Sequence, residues 1–301
     1  SQEALDSYLK VIKINPNLSN IYTTITRLLR NSDPSKLNKL QLKYILNLLL
    51  EKNNVPHKEL FEAFNFLYSN EIINSIKRYE YYTLKEDSFQ LCIKNKAIIN
   101  ALKKIPFRDI KLEKVLTKIR RDMCDQIAGN KNNISYYELQ FIIALGEQCF
   151  LNEYIYSITK EEKISINKIL KKCRDGKVDE TSLSILACYF PLYKLLDQIP
   201  SLKSFNGSNE DFKELIKLQI SEPLKEFALS KAIKKLGLID DNISKKVKSQ
   251  YEENPYPRWK YGNTSKDVKL SVKQRIDNAI KPNFINPYIV NNQLKILIAG
   301  C

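Results

Sequence analysis

With 301 residues the chain is long enough to bury a sizeable core as one large or two modest units. Only seven residues are glycine, whereas doubly wound folds spend glycine in their turns, so the composition predicts a chain that is mostly helix with short polar connections. No apolar run reaches the roughly 18 residues of a membrane span and the first residues lack a signal-peptide pattern, which points to the cytoplasm; the net charge of +15 is scattered over the helices beside Asn and Ile, so it singles out no nucleic-acid partner.

The six cysteines (Cys92, Cys124, Cys149, Cys173, Cys188 and Cys301) form no C-x-x-C pair, and His57 is the one histidine. That inventory argues against a zinc site and reads the first five cysteines as reduced, buried small hydrophobes. The single methionine is Met123 and the first residue is Ser1, so the chain reads as a piece of a longer protein.

In chain order, residues 1–35 carry a repeat signal. Ala4, Tyr8, Val11 and Pro16 stand at the spacing of the second helix of a tetratricopeptide repeat, and Asn15-Pro16-Asn17 reads as the turn between repeats. Tyr22, Ile25 and Leu29 then share one face of the next helix. The pattern fades at Asn38 and Leu42, where a small apolar residue and an aromatic are expected. An ordinary amphipathic helical hairpin is the alternative. Leu37, Leu40, Tyr44, Ile45, Leu48 and Leu49 next predict a helix with a wide buried face. A long or broken helix follows from about His57 to Tyr81, with His57 exposed or capping at its start rather than catalytic. Asp87 to Lys103 reads as one further helix.

Residues 109–127 repeat the theme, and the adjacent Arg120 and Arg121 must point to different faces, leaving one in solvent. Ser135 to Tyr156 is apolar almost all round, which places it at the centre of a bundle. Gln148, Asn152 and Glu153 interrupt it and need hydrogen-bond partners, so they are candidates for a buried network. Thr159 to Glu162 reads as a helix start with its own cap and early acids. A helix from about Glu180 to Gln198 contains Pro191 and should kink or break there. Asp211 to Ile220 and Pro223 to Leu236 read as two helices, the second with proline in its first turn. A short basic helix, Asn242 to Gln250, precedes Tyr251-Glu252-Glu253-Asn254-Pro255-Tyr256-Pro257-Arg258-Trp259, where two prolines stop helix formation. A helix from Ser271 to Ile280 and an extended connector from Pro282 to Asn292 follow. The chain closes on Leu294-Lys295-Ile296-Leu297-Ile298-Ala299-Gly300-Cys301, a short apolar run rich in β-branched residues that reads as a buried parallel strand entering a tight turn.

The Tyr251–Trp259 arm followed by Ile-Leu-Ile-Ala-Gly-Cys resembles the tetratricopeptide-repeat proteins that carry a class I S-adenosylmethionine-dependent methyltransferase domain at their C-terminal end. Gln148 to Tyr154, Ala187 to Tyr193 and Glu222-Pro223-Leu224 are similar to segments of the same family. The resemblance implies a mostly α chain. The end of a repeat array would occupy residues 1–35 and an α-helical linker domain 36–240; the entry segment and first β-strand of a truncated α/β, Rossmann-like methyltransferase domain would occupy 241–301. It implies a site for S-adenosylmethionine in which Gly300 is the first glycine of the cofactor loop, with Cys301 after it. Tyr251, Tyr256, Arg258 and Trp259 would form a flap over that cleft, Arg258 holding a carboxylate, the two aromatics Tyr256 and Trp259 walling the cleft and Tyr251 donating a hydrogen bond. Ile298 stands where many class I enzymes have an acid, a departure from the commonest pattern. No catalytic residue is assigned, and this stretch alone is not expected to catalyse. The repeats would recruit a protein or peptide. A proline-stiffened linker that pins a helical body to the sheet is the alternative for the arm, and a non-catalytic helical interaction scaffold the alternative for the whole.

Overall fold

Side chains that accept from the first turn's own amides set where most of the helices begin. Ser1 caps α1 (Gln2–Ile14), Asn38 caps α3 (Lys39–Glu51) after α2 (Ile21–Arg30), and Asn95 caps α6 (Lys96–Lys104). Asp109 caps α7 (Ile110–Ala128); reciprocal Ser/Thr and Glu boxes open α8 (Tyr136–Leu151) at Ser135 and α9 (Lys160–Arg174) at Thr159. Each cap supplies an acceptor to amides that have no partner inside the helix, and is worth about 1 kcal/mol. Asn38, out of place in a repeat pattern, is therefore in place as a cap. The computed structural model describes residues 1–18, 20–79, 87–129, 134–233, 239–253 and 271–284. Over them the chain is mostly helical, with no strand among the described residues. Leu294 to Gly300, on which the first β-strand was expected, lies outside them.

The remaining helices are α4 (Phe61–Tyr79), α5 (Asp87–Lys94), α10 (Glu180–Leu186), α11 (Glu210–Ile216), α12 (Glu222–Ala232), α13 (Asn242–Glu253) and α14 (Val272–Ala279). As its composition predicts, α8 is central: Gln140 to Leu151 are buried without interruption, and α5, α6, α10 and α11 pack against it. Beside it α7 lies on α9 and α4, α3 joins α6 to α4, and α1 packs on α2. One continuous apolar core runs through these layers from Leu5 to Ile220. Gly146 lets α8 approach the turn after α10, since a Cβ there would stand 3.2 Å from that of Ala187.

In α1 the deepest residues are Leu5, Leu9 and Ile12, with Ala4, Tyr8 and Val11 half-buried beside them. Several expectations are corrected. In α3 the inward stripe is Leu42, Ile45, Leu46, Leu49 and Leu50, while Leu40 and Tyr44, expected in the core, are 79% and 54% exposed. Both stripes satisfy helical periodicity, and the choice between them is made by neighbours the local pattern does not contain. His57 is buried, not exposed: its Nε2 lies 2.8 Å from the Lys52 carbonyl, closing the turn after α3. The helix expected over 87–103 is two, because the Asn95 side chain accepts the Ala97 amide and begins a new helix. The central helix stops at Leu151 rather than Tyr156, where Glu153 and Tyr154 both take left-handed backbone, φ 60° and 58°, and the Tyr154 amide turns back to the Cys149 carbonyl at 2.8 Å.

The helix containing Pro191 breaks. It unwinds through turns at Ala187 to Phe190 and resumes as a 3-10 turn, Leu192–Leu195, because proline has no amide to give and disfavours helical backbone in the residue before it. Pro223, in contrast, interrupts nothing. A π turn over Lys217–Ser221 joins α11 to α12 and accommodates the missing donor. Beyond Pro223, α12 runs largely in solvent, with the Phe227 ring set edge-on to Tyr193 at 5.3 Å.

Candidate functional site

Of the residues expected to hold the cofactor, only Tyr251 lies among those described. It sits within α13, which runs on to Glu253, so the helix enters the arm that was expected to start at Tyr251, and its side chain is 65% exposed. Tyr256, Arg258, Trp259, Gly300 and Cys301 lie outside the described residues. Among the described residues no three His, Cys, Asp or Glu side chains are grouped to hold a metal ion.

The densest polar arrangement is inside the bundle, where α7, α9 and the turn after α10 meet. Arg120 on α7 and Glu162 in the first turn of α9 form an ion pair at 3.1 Å with 1% and 0% of their side chains exposed. A second Arg120 contact donates to the Ser157 carbonyl at 2.6 Å. Tyr189 donates to the same Glu162 oxygen at 2.9 Å, and its ring lies 4.3 Å beneath the guanidinium; Tyr156 approaches from another side at 5.8 Å. The other Glu162 oxygen closes the capping box by accepting the Thr159 amide at 2.8 Å and faces Arg121 Nε at 3.5 Å. As expected, the two neighbouring arginines divide, Arg120 inward and Arg121 with its side chain 36% exposed.

Burial raises the Tyr189 pKa, reinforced by the neighbouring Cys124 and Glu162 and opposed by Arg120. It pushes the Cys124 thiol up to about 12 and Cys188 well above its ordinary value. All three keep their protons at neutral pH. For Arg120 burial works downward, but Cys149, Tyr189 and Glu162 outweigh it and its pKa stands above the ordinary value. A pair this deep, closed to solvent and committed to its partners, holds three elements in register; it offers no substrate access.

Two buried glutamines complete the polar framework. Gln148 of α8 accepts the Phe107 amide at 3.1 Å and donates to the carbonyls of Leu102 and Ile105 at 3.0 and 2.7 Å, saturating the end of α6. Gln219, turned inward by the π turn, accepts the Leu192 amide at 3.2 Å and donates to Gly146 and Ala187 at 3.0 and 3.2 Å. Of the three polar residues singled out in the central helix, Gln148 is the buried clamp, while Asn152 serves a local turn by accepting the Tyr154 amide at 3.1 Å. Sequence reasoning missed Gln219, whose only signal was a glutamine ahead of Pro223.

No family model, curated protein or solved structure matches the chain. A groove of about 690 Å³ lies between α1 and α3, bounded by Asp6, Lys10, Lys13, Leu40, Gln41 and Tyr44. Leu40 and Tyr44, which local periodicity had assigned to the core, form its α3 side with Gln41.

Proposed function

We propose that the chain is part of an S-adenosylmethionine-dependent methyltransferase whose helical body recruits a protein or other substrate. One observation carries the reading: the arm Tyr251 to Trp259, two prolines around a tyrosine and then Arg-Trp, precedes a β-branched run that ends on Gly300 and Cys301. The cofactor supplies the methyl group as an electrophile. Arg258 would hold the cofactor's carboxylate through two parallel hydrogen bonds, Tyr256 and Trp259 would wall its cleft, and Tyr251 would donate a hydrogen bond. Gly300, lacking a side chain, would let the backbone approach the cofactor. Methyl transfer depends mainly on exclusion of water and in-line alignment, so the reading assigns no base.

The test is calorimetric titration of S-adenosylmethionine into the full-length protein. Saturable binding that weakens by about tenfold in Arg258→Ala, the scale of a lost charge-assisted contact, supports the reading. Unchanged binding removes the flap, and absence of binding removes the enzyme.

The second reading, a helical interaction scaffold without catalysis, is favoured by the groove between α1 and α3, which exposes Leu40 and Tyr44. The reading frame after Cys301 separates the two: a further glycine-rich turn and an acid closing a second apolar strand belong to the enzyme, a stop or a helical pattern to the scaffold.

A further inference from the structure

We propose that the cleft between the C-terminal ends of α7 and α9 binds a small polyanion, two or more phosphate groups on an organic body. Lys168, Lys171 and Lys172 follow one another at i, i+3 and i+4 on one face of α9, and Lys177 returns to the same cleft from the turn beyond it. The cavity measures about 380 Å³, and its apolar floor is the half-buried Ala128 with the margins of the buried Ile127 and Ile169. Lys172 is committed, to Asp179 at 2.8 Å and Ser182 at 3.3 Å. Lys168, Lys171 and Lys177 have no carboxylate within ion-pair distance among the described residues, and the one acid lining the cleft is Asp175.

Lysines in a last turn also favour the helix dipole, and that alone would explain one or two of them. Three on one face repel at these spacings, which a bound anion would reverse. A helix C-terminus normally repels anions through its free carbonyls, but here three of the last four are occupied. The Asp175 amide bonds the Lys171 carbonyl at 2.9 Å, Gly176 that of Cys173 at 3.2 Å and Lys177 that of Lys172 at 3.1 Å. Gly176 permits this at φ +85°, a conformation that side-chain-bearing residues resist. The same turn brings Lys177 back to the cleft. Lysine side chains therefore share the cleft with apolar ones, the chemistry of a ligand that pairs charge with a hydrophobic body. The inference is independent of the methyltransferase reading.

The test titrates ADP and inorganic pyrophosphate separately into the full chain, by calorimetry in metal-free buffer. One saturable ADP site is expected, weakened by about tenfold or more in Lys168→Gln/Lys171→Gln/Lys177→Gln through loss of three charges, with an unchanged melting temperature showing that the variant folds. Lys39→Gln/Lys111→Gln/Lys225→Gln, which removes equal charge from exposed positions outside both the cleft and the α1–α3 groove, should bind as the parent does. Pyrophosphate should bind more weakly than ADP because it leaves the apolar floor uncovered. No saturable binding, equal loss in the two triple variants, or full ADP binding in the cleft variant would overturn the proposal, and pyrophosphate binding as tightly as ADP would overturn the role of the floor.

Discussion

The Arg120 guanidinium lies over the Tyr189 ring, 4.3 Å from its centre, and both side chains donate to one oxygen, Glu162 Oε1. Two donors from two elements thus converge on a single buried acceptor supplied by a third. Removing one charge leaves the other without compensation in a medium that solvates it poorly, whereas removing both exchanges an ion pair for apolar packing.

Arg120→Met is accordingly expected to lower unfolding free energy by about 3–5 kcal/mol. Arg120→Met/Glu162→Leu should lose less than the sum of its single changes, because the charge stranded by either single change is gone. Guanidinium denaturation of the four proteins in the cycle measures both. Strict additivity would mean that the pair is not coupled and that its geometry carries no energetic weight.

Gln148→Leu keeps the side-chain volume nearly constant while taking away three hydrogen bonds. The carbonyls of Leu102 and Ile105 and the Phe107 amide are then left buried without a partner. We expect a loss of about 3 kcal/mol, larger than an apolar-for-polar exchange at the surface would give. A change below about 0.5 kcal/mol, the range of surface substitutions, would mean that water replaces the side chain.

What was legible in the sequence and what was not divides along physical lines. The central helix could be read because an all-round apolar stretch has one placement, inside; the start of α9 could be read because its cap is local, Thr159 followed by the acids Glu161 and Glu162. The inward face of α3 could not, since Leu40 and Tyr44 fit a helical stripe as well as Leu42 and Leu46 do, and the decision lies with α4 and α6. His57 and Gln219 likewise owe their burial to carbonyls and amides distant from their own pattern, at Lys52 and at Gly146, Ala187 and Leu192. Glu162 read as an early acid of α9, and nothing within α9 tells that it meets Arg120, which is 42 residues away. The expected cofactor residues other than Tyr251 are outside the described chain, and their reading rests on the motif alone.

The buried thiols set the alkaline limit. Burial is the main cause that pushes Cys92 and Cys124 up to about 12 and Cys173 up to about 11, from an ordinary value of 9.0. Each thiol therefore contributes stability that is complete below pH 9 and lost as pH rises toward 11 to 12, because the unfolded chain gives up a proton that the folded chain keeps. Under native conditions at neutral pH a thiol-specific reagent should leave Cys92, Cys124 and Cys173 untouched, and denaturant should expose them together. Rapid labelling of any of the three in the native protein would contradict their burial.

Asp179 sets an opposite, acidic limit. Burial tends to raise its pKa, but the Lys172 ammonium at 2.8 Å and the Ser182 amide and hydroxyl at 2.7 and 2.9 Å prevail, and the carboxyl is held below its ordinary 3.8. A depressed pKa means that the stabilisation is present above pH 3.8 and disappears as pH falls through the lower folded value. Asp179→Ala removes the N-cap of α10 as well as the ion pair, so we expect about 1 kcal/mol of lost stability at neutral pH. Asp179→Asn retains the capping oxygen and should lose only the part owed to Lys172. Thermal unfolding followed across pH should therefore show parent and Asp179→Asn separated at neutral pH and converging in acid, as protonation does to the parent what the substitution has already done. Curves that stayed parallel into acid would place the acid sensitivity on another carboxylate.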